Sequence, residues 1–92
     1  MRPYYADDFV TIYHGDCRDV LPWLDEDSID LCLADPPYGV GLDYGPEFVD
    51  TGDYVDCLVA QALPEMRRVA RATLVTCGPL NIHRYPEPAW VL

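Results

Sequence analysis

Ile29-Asp30-Leu31-Cys32-Leu33-Ala34-Asp35-Pro36-Pro37-Tyr38 is the stretch that decides how this 92-residue chain folds and where its chemistry lies. Its first six residues form an apolar run of strand length, read as a buried strand. The tetrapeptide Asp35–Tyr38 then sits where a strand leaves a sheet, the end at which open α/β sheets place their ligands. From average residue usage this tetrapeptide arises by chance in a chain of this length on the order of once in several thousand.

Upstream, Val10-Thr11-Ile12-Tyr13 is β-branched and aromatic and stops at the turn signal His14-Gly15-Asp16, which predicts a strand. Asp16 is placed to cap a short helix with an apolar stripe of Val20, Leu21 and Leu24. Downstream, Gly39 to Gly52 holds four glycines and a proline and reads as a loop, functional or mobile at that length. Gly39-Val40-Gly41 is read as loop flexibility. From Asp53 onward Val55, Leu58, Val59, Ala62, Leu63, Met66 and Val69 recur at helical spacing. Pro64 is expected to kink or split that helix near Leu63, because it has no N–H and clashes with the preceding turn. Asp53 and Asp56 lie at the positive end of the helix and Arg67, Arg68 and Arg71 at the negative end, as the macrodipole favours. Ala72–Cys77 reads as a further strand stopped by Gly78-Pro79, and Trp90-Val91-Leu92 as the start of a fourth. Strand, helix, strand, helix, strand is a parallel α/β pattern.

The chain has 16 acidic and 6 basic residues, a net charge of −10, and each basic residue is an arginine. That charge repels a phosphate backbone, since duplex affinity comes mainly from cations that release counterions. The chain therefore does not grip DNA unaided. Cys17, Cys32, Cys57 and Cys77 are 15, 25 and 20 positions apart, without the close pairs of a zinc site or a small disulfide scaffold. They read as small buried hydrophobes, and no metal site is expected. Asp7 and Asp8 lie near the N-terminus with no apolar core behind them, so no signal peptide is read there. No run approaches the ~20 apolar residues of a membrane span. A cytoplasmic location and no membrane partner are expected. His14 and His83 lack metal-ligand partners at suitable spacing, and Trp23 and Trp90 read as packing residues.

Chemically, Asp35–Tyr38 makes a rigid corner. Two prolines hold the backbone extended and remove competing N–H groups. The Asp35 carboxylate and the Pro36 carbonyl are two acceptors, which suits an –NH2 group with two hydrogens to donate. Tyr38 adds a ring on which an aromatic ligand can stack. The same residues also make a proline turn with an aspartate starter and an aromatic that merely packs. The four residues do not choose between these readings.

The stretch does resemble a known family. Asp35-Pro36-Pro37-Tyr38 behind an apolar strand looks like the catalytic motif of the amino-group DNA methyltransferases, which modify adenine N6 or cytosine N4. Ile12–Cys17 with Ser28–Leu31, Leu63–Val69 with Leu74–Thr76, and Tyr85–Trp90 are similar to its flanking elements. The resemblance implies a partial Rossmann-like sheet of class I methyltransferase type, with three to four mostly parallel strands and helices. It implies S-adenosylmethionine as cofactor and a base flipped out of DNA as substrate. Asp35, Pro36, Pro37 and Tyr38 are then catalytic, with Tyr38 stacking on the base and Asp35 and the Pro36 carbonyl accepting from its amino group. Asp16, with the Cys17 backbone beside it, matches the position that binds the cofactor's adenine amine, although Asp16 also serves as a plain helix cap.

The resemblance has a gap. The family's Phe-x-Gly-x-Gly cofactor loop is absent, and only 34 residues precede Asp35. That order matches the permuted members, which place the catalytic half first, and disfavours methylation of other amides or amines. The chain is expected to be the N-terminal catalytic-motif part of such an enzyme, inactive alone and served by a complementing polypeptide. The alternative is a non-catalytic remnant or interaction module. In the family, two strands from the missing part lie between the strand before Asp16 and the strand before Asp35, a gap of roughly 14 Å. The chain is expected to pair those two strands directly or to fold only in part. Asp43, Tyr44 and Glu47 lie near the motif without an assigned role. Asp as first motif residue leans towards adenine.

Overall fold

A computed structural model describes residues 1–43, 45–46 and 49–91. Its centre is a β-α-β unit: strand β3 (Ile29–Ala34), helix α2 (Gly52–Val69) and strand β4 (Ala70–Val75). Ahead of it lie strands β1 (Tyr5–Ala6) and β2 (Thr11–Ile12) and a short helix α1 (Cys17–Val20), continued by a 3-10 turn over Leu21–Trp23. A second 3-10 turn covers Ile82–Arg84.

β3 and β4 pair in parallel, with Leu31 beside Ala72, Cys32 beside Thr73, Leu33 beside Leu74 and Ala34 beside Val75. β1 and β2 form a separate antiparallel pair, so the sheet is not the single run of three or four parallel strands that was expected. The strand expected over residues 10–13 is confined to Thr11–Ile12 and pairs with Tyr5–Ala6, not with β3. Its partner is chosen locally: Asp7 Oδ1 accepts from the N–H groups of Phe9 and Val10 and closes the hairpin turn. Trp90 and Val91 are exposed and outside any strand, so the expected fourth strand is not formed there; Leu92 lies outside the described residues.

The Thr51 hydroxyl caps α2 by accepting from Tyr54 N–H at 3.3 Å, so the helix starts at Gly52 rather than at the predicted Asp53. The helix then continues through Pro64 and is not split near Leu63. Pro64 and Ala60 both lie on the exposed side, where water can serve the carbonyl that the proline leaves unpaired. The opposite side is anchored by Val55, Ala62 and Val69, which are buried and with Ala70 make up the core. Arg68 works as a structural clamp: Nη2 donates to the carbonyls of Leu21 and Leu24, and Nε to Glu65 at 2.8 Å. Val20, Leu21 and Leu24, the expected stripe, are half-buried beneath α2.

The strand that read as buried is covered on one face only. Cys32, Ala34, Thr73 and Val75 are half-buried, whereas Leu31, Leu33 and Leu74 on the other face are 55%, 70% and 41% exposed. The cysteines are free; Cys17, Cys32 and Cys77 are half-buried, and Cys57 is exposed, against the expectation of small buried hydrophobes. Trp23 and Trp90 are 70% and 86% exposed, which overturns their reading as packing residues. Among the described residues, no helix is long and apolar enough to cross a membrane.

Candidate functional site

Parallel pairing brings Asp35 and Thr76, the residues that follow Ala34 and Val75, to the same end of the sheet. The ladder continues past the strands, because Thr76 N–H donates to the Ala34 carbonyl at 3.0 Å. The Thr76 hydroxyl then reaches Asp35 Oδ1. Asp35 is exposed, while Pro36, Pro37 and Tyr38 are half-buried. Among the described residues, neither Asp35 Oδ2 nor the Pro36 carbonyl has a hydrogen-bond donor, so both acceptors stay open next to each other in the chain.

Beyond the corner the chain folds back on itself. Asp50, 6% exposed, accepts from Gly39 N–H at 2.8 Å on Oδ1, and from Val40 and Leu42 N–H at 3.0 and 2.8 Å on Oδ2. Its backbone carbonyl takes Gly41 N–H at 3.1 Å. Burial works to raise the Asp50 carboxyl, but the N–H donors of Leu42, Gly39 and Val40 outweigh it and hold the group below its ordinary range. Gly39 has φ +71, and a methyl group there would come within 3.0 Å of Gly52 N. The glycine therefore permits both the turn and the close approach to the start of α2. The expected flexible loop is thus tied down at its base. Asp43 bridges Val49, whereas Tyr44 and Glu47 lie outside the described residues.

Residues after β4 complete the corner. Asn81, 6% exposed, donates from Nδ2 to the Tyr38 carbonyl. Arg84 Nε donates to Asn81 Oδ1 at 3.0 Å, and Arg84 Nη1 to the Gly52 carbonyl and Asp56 Oδ1 at 3.2 and 2.9 Å. The Tyr38 ring lies over Gly78, where a methyl group would meet it at 3.7 Å. Tyr85 is half-buried nearby; burial, then the neighbouring Cys77 and Tyr38, push its phenol up. Thr76, Asn81, Arg84 and Asp50 were not singled out from sequence. The signal available was a polar side chain right after a strand end, Thr76, and one right before a helix cap, Asp50, two places where backbone groups go short of partners; Asn81 and Arg84 carried no such signal.

Asp16 caps α1, accepting from Arg18 N–H at 2.9 Å on Oδ1. Arg18 also grips it with Nε at 2.9 Å and Nη2 at 2.6 Å, so both oxygens are engaged by one residue. These bonds from the Arg18 side chain and backbone hold the Asp16 carboxyl below its usual range. Arg18 Nη1 reaches Gln61 Oε1 on α2 at 2.9 Å, tying this pair to the helix. Cys17, next to it, is half-buried, and burial pushes its thiol up. Among the described residues, no hydrogen bond links Asp16 or Cys17 to the Asp35–Tyr38 corner, so the two halves of the expected site are separately held. His14 packs edge-on against Tyr4, and His83 is exposed. Among the described residues, no three His, Cys, Asp or Glu side chains converge on a point where a metal ion could sit.

Known proteins similar to this chain share only part of it. Type II methyltransferase M.ScaI of Streptomyces caespitosus is 37% identical over 43 residues, which is 47% of this chain and 14% of that protein. Type II methyltransferase M.BamHI of Bacillus amyloliquefaciens is 26% identical over 54 residues, 59% of this chain and 13% of that protein. The chain thus matches about one-seventh of the length of these curated relatives. No family profile and no solved structure matches it. The partial likeness supports a relationship with the Type II methyltransferases.

Proposed function

We propose that this chain is the N-terminal, catalytic-motif part of an S-adenosylmethionine-dependent DNA methyltransferase of the permuted type. It acts on the exocyclic amino group of a base, adenine N6 in preference to cytosine N4, within a larger or split enzyme. The observation that carries this reading is the pair of acceptors at the strand end, Asp35 Oδ2 and the Pro36 carbonyl, which have no donor among the described residues and directly precede Pro37 and Tyr38 in the chain.

In this reading a flipped base stacks on Tyr38 and donates its two amino hydrogens to Asp35 and the Pro36 carbonyl. Accepting both hydrogens turns the nitrogen lone pair towards the electrophile and supports the positive charge that develops on nitrogen. Pro37 holds the carbonyl's direction, since its ring fixes φ. The Thr76 hydroxyl occupies Asp35 Oδ1 and leaves Oδ2 for the substrate.

S-adenosylmethionine, when bound, supplies the methyl group. The residues here fit only one end of that molecule. Asp16 Oδ1 is filled by two Arg18 donors, but Oδ2 takes only one and keeps an acceptor direction for the cofactor's adenine amine, with the Cys17 backbone alongside. The remaining contacts would come from a complementing polypeptide.

A second reading, a non-catalytic remnant or interaction module, draws on the uncovered face of Leu31, Leu33 and Leu74. Parallel sheets are normally covered on both faces, so that surface suits a partner whether or not chemistry survives. The deciding experiment is transfer of tritiated methyl from S-adenosylmethionine to unmethylated DNA. It uses this chain alone and a chimera in which the chain replaces its matched segment in M.ScaI. The expected result is no label with the chain alone, and labelled N6-methyladenine with the chimera, abolished by Asp35→Ala. A folded chimera that transfers nothing rejects the enzymatic reading in favour of the remnant.

A further inference from the structure

One peptide group in the corner is gripped from both sides. The Tyr38–Gly39 peptide presents its carbonyl to Asn81 Nδ2 and its N–H to Asp50 Oδ1, the latter at 2.8 Å. Both residues, Asn81 and Asp50, are 6% exposed. Neither belongs to β3 or β4: one comes from the segment after β4, the other from the residue before the α2 cap.

The orientation of Asn81 is dictated by its neighbour. A guanidinium has donors only, and Arg84 Nε lies 3.0 Å from Asn81 Oδ1. The amide oxygen must therefore face Arg84, which leaves the NH2 to face the Tyr38 carbonyl. Arg84 is held in turn by the Gly52 carbonyl and Asp56 Oδ1, at 3.2 and 2.9 Å. Gly52 is the residue that makes room, because any side chain there would collide with the guanidinium.

A staple for two loops does not need this design. Apolar packing would hold the segments at least as well as buried polar groups, which must be desolvated. What directed hydrogen bonds add is the plane of one peptide. That plane fixes the direction in which the Tyr38 side chain leaves the backbone, with Gly78 beneath its ring. We infer that Asn81, aimed by Arg84 and opposed by Asp50, is a positioning residue that sets the Tyr38–Gly39 peptide and so orients the ring for a stacked nucleobase. The nucleobase part rests on the functional reading above; the positioning part does not.

The test is Asn81→Asp in the full chain. The new carboxylate keeps the Arg84 partner, as an ion pair, but meets the Tyr38 carbonyl with an acceptor instead of a donor. The variant should still fold, with a melting temperature lowered by the lost buried hydrogen bond, while the Tyr38 carbonyl-carbon and Gly39 amide resonances move and Gly39 N–H loses its protection from exchange. Affinity for 2-aminopurine deoxyriboside, read by fluorescence, should fall about tenfold, the scale of one base–aromatic stack. A folded variant with unchanged resonances and affinity overturns the inference. Where Asn81→Asp fails to fold, Arg84→Lys decides: it keeps a cation for Asp56 but drops the Nε bond, and unmoved Tyr38 and Gly39 signals would overturn the role. If the unsubstituted chain does not bind the probe, the base-stacking half is rejected, and the resonance shifts still judge the positioning half.

Discussion

The Thr76 hydroxyl donates to Asp35 Oδ1, so the residue that follows β4 aims the carboxylate that follows β3. This pair exists because Ala34 and Val75 are partners in register and the next rung holds Asp35 and Thr76. Thr76→Val keeps the shape and removes the donor. We expect a loss of about 0.5–1 kcal/mol in urea melts, the low end for one hydrogen bond at an exposed pair. In the active chimera methyl transfer should fall by more than stability explains. Equal transfer by Thr76→Val and the parent would mean that Asp35 needs no steering.

Asp50 makes the corner sensitive to acid. Burial alone would raise its carboxyl, but the N–H groups of Leu42, Gly39 and Val40 favour the charged form and the folded value lies below the unfolded one. A depressed folded value contributes stability that is present above the unfolded carboxylate range, about pH 4, and is lost as pH falls through the folded value. Asp16, depressed by Arg18, acts in the same direction. Exchange of the Gly39, Val40 and Leu42 amides should therefore quicken as pH falls below about 4 relative to the β3 amides, after correction for intrinsic rates. Asp50→Asn should show that quickening already at neutral pH.

Gly39→Ala is expected to damage the corner. Its φ of +71 disfavours any side chain, and the added methyl would press on Gly52 N and the Thr51 carbonyl carbon, both at 3.0 Å. The expected cost is at least about 1 kcal/mol, measured by denaturant unfolding. Gly41→Ala has the same sign of φ but open space, so it should cost less.

The uncovered face of the sheet and the buried side of α2 should respond differently to truncation. Leu33 is 70% exposed, and Leu33→Ser should stay within about 0.5 kcal/mol in the isolated chain. Val55 is fully buried, and Val55→Ala should cost about 1.5–3 kcal/mol from lost transfer energy and a cavity. If Leu33→Ser destabilises the active chimera far more than the isolated chain, a partner covers that face.

Sequence and structure agree most closely on β3 and α2, where the signal is local and repeated. The apolar run Ile29–Ala34 became β3 with the same ends, and the residues at helical spacing from Val55 to Val69 lie in α2. The cap at Asp16 was legible because a carboxylate before a helix has an obvious task. Asp35–Tyr38 was found from the order of four residues, since prolines at a strand end carry their geometry with them.

Other features were decided by distant contacts. β2 closes on β1, a partner a few residues away, because short-range hairpin closure needs little loop entropy. Pro64 stays in the helix because its exposed side lets water take the orphan carbonyl, which depends on which side faces the core. Trp23 and Trp90 ended exposed because nothing among the described residues folds over either ring. Asp50, Asn81, Arg84 and Thr76 converge on one corner from three places in the chain, and their spacing in sequence carries no period that would pair them. Local order therefore determined the strand, the helix and the motif, while only the folded backbone decided which polar side chains hold that motif in place.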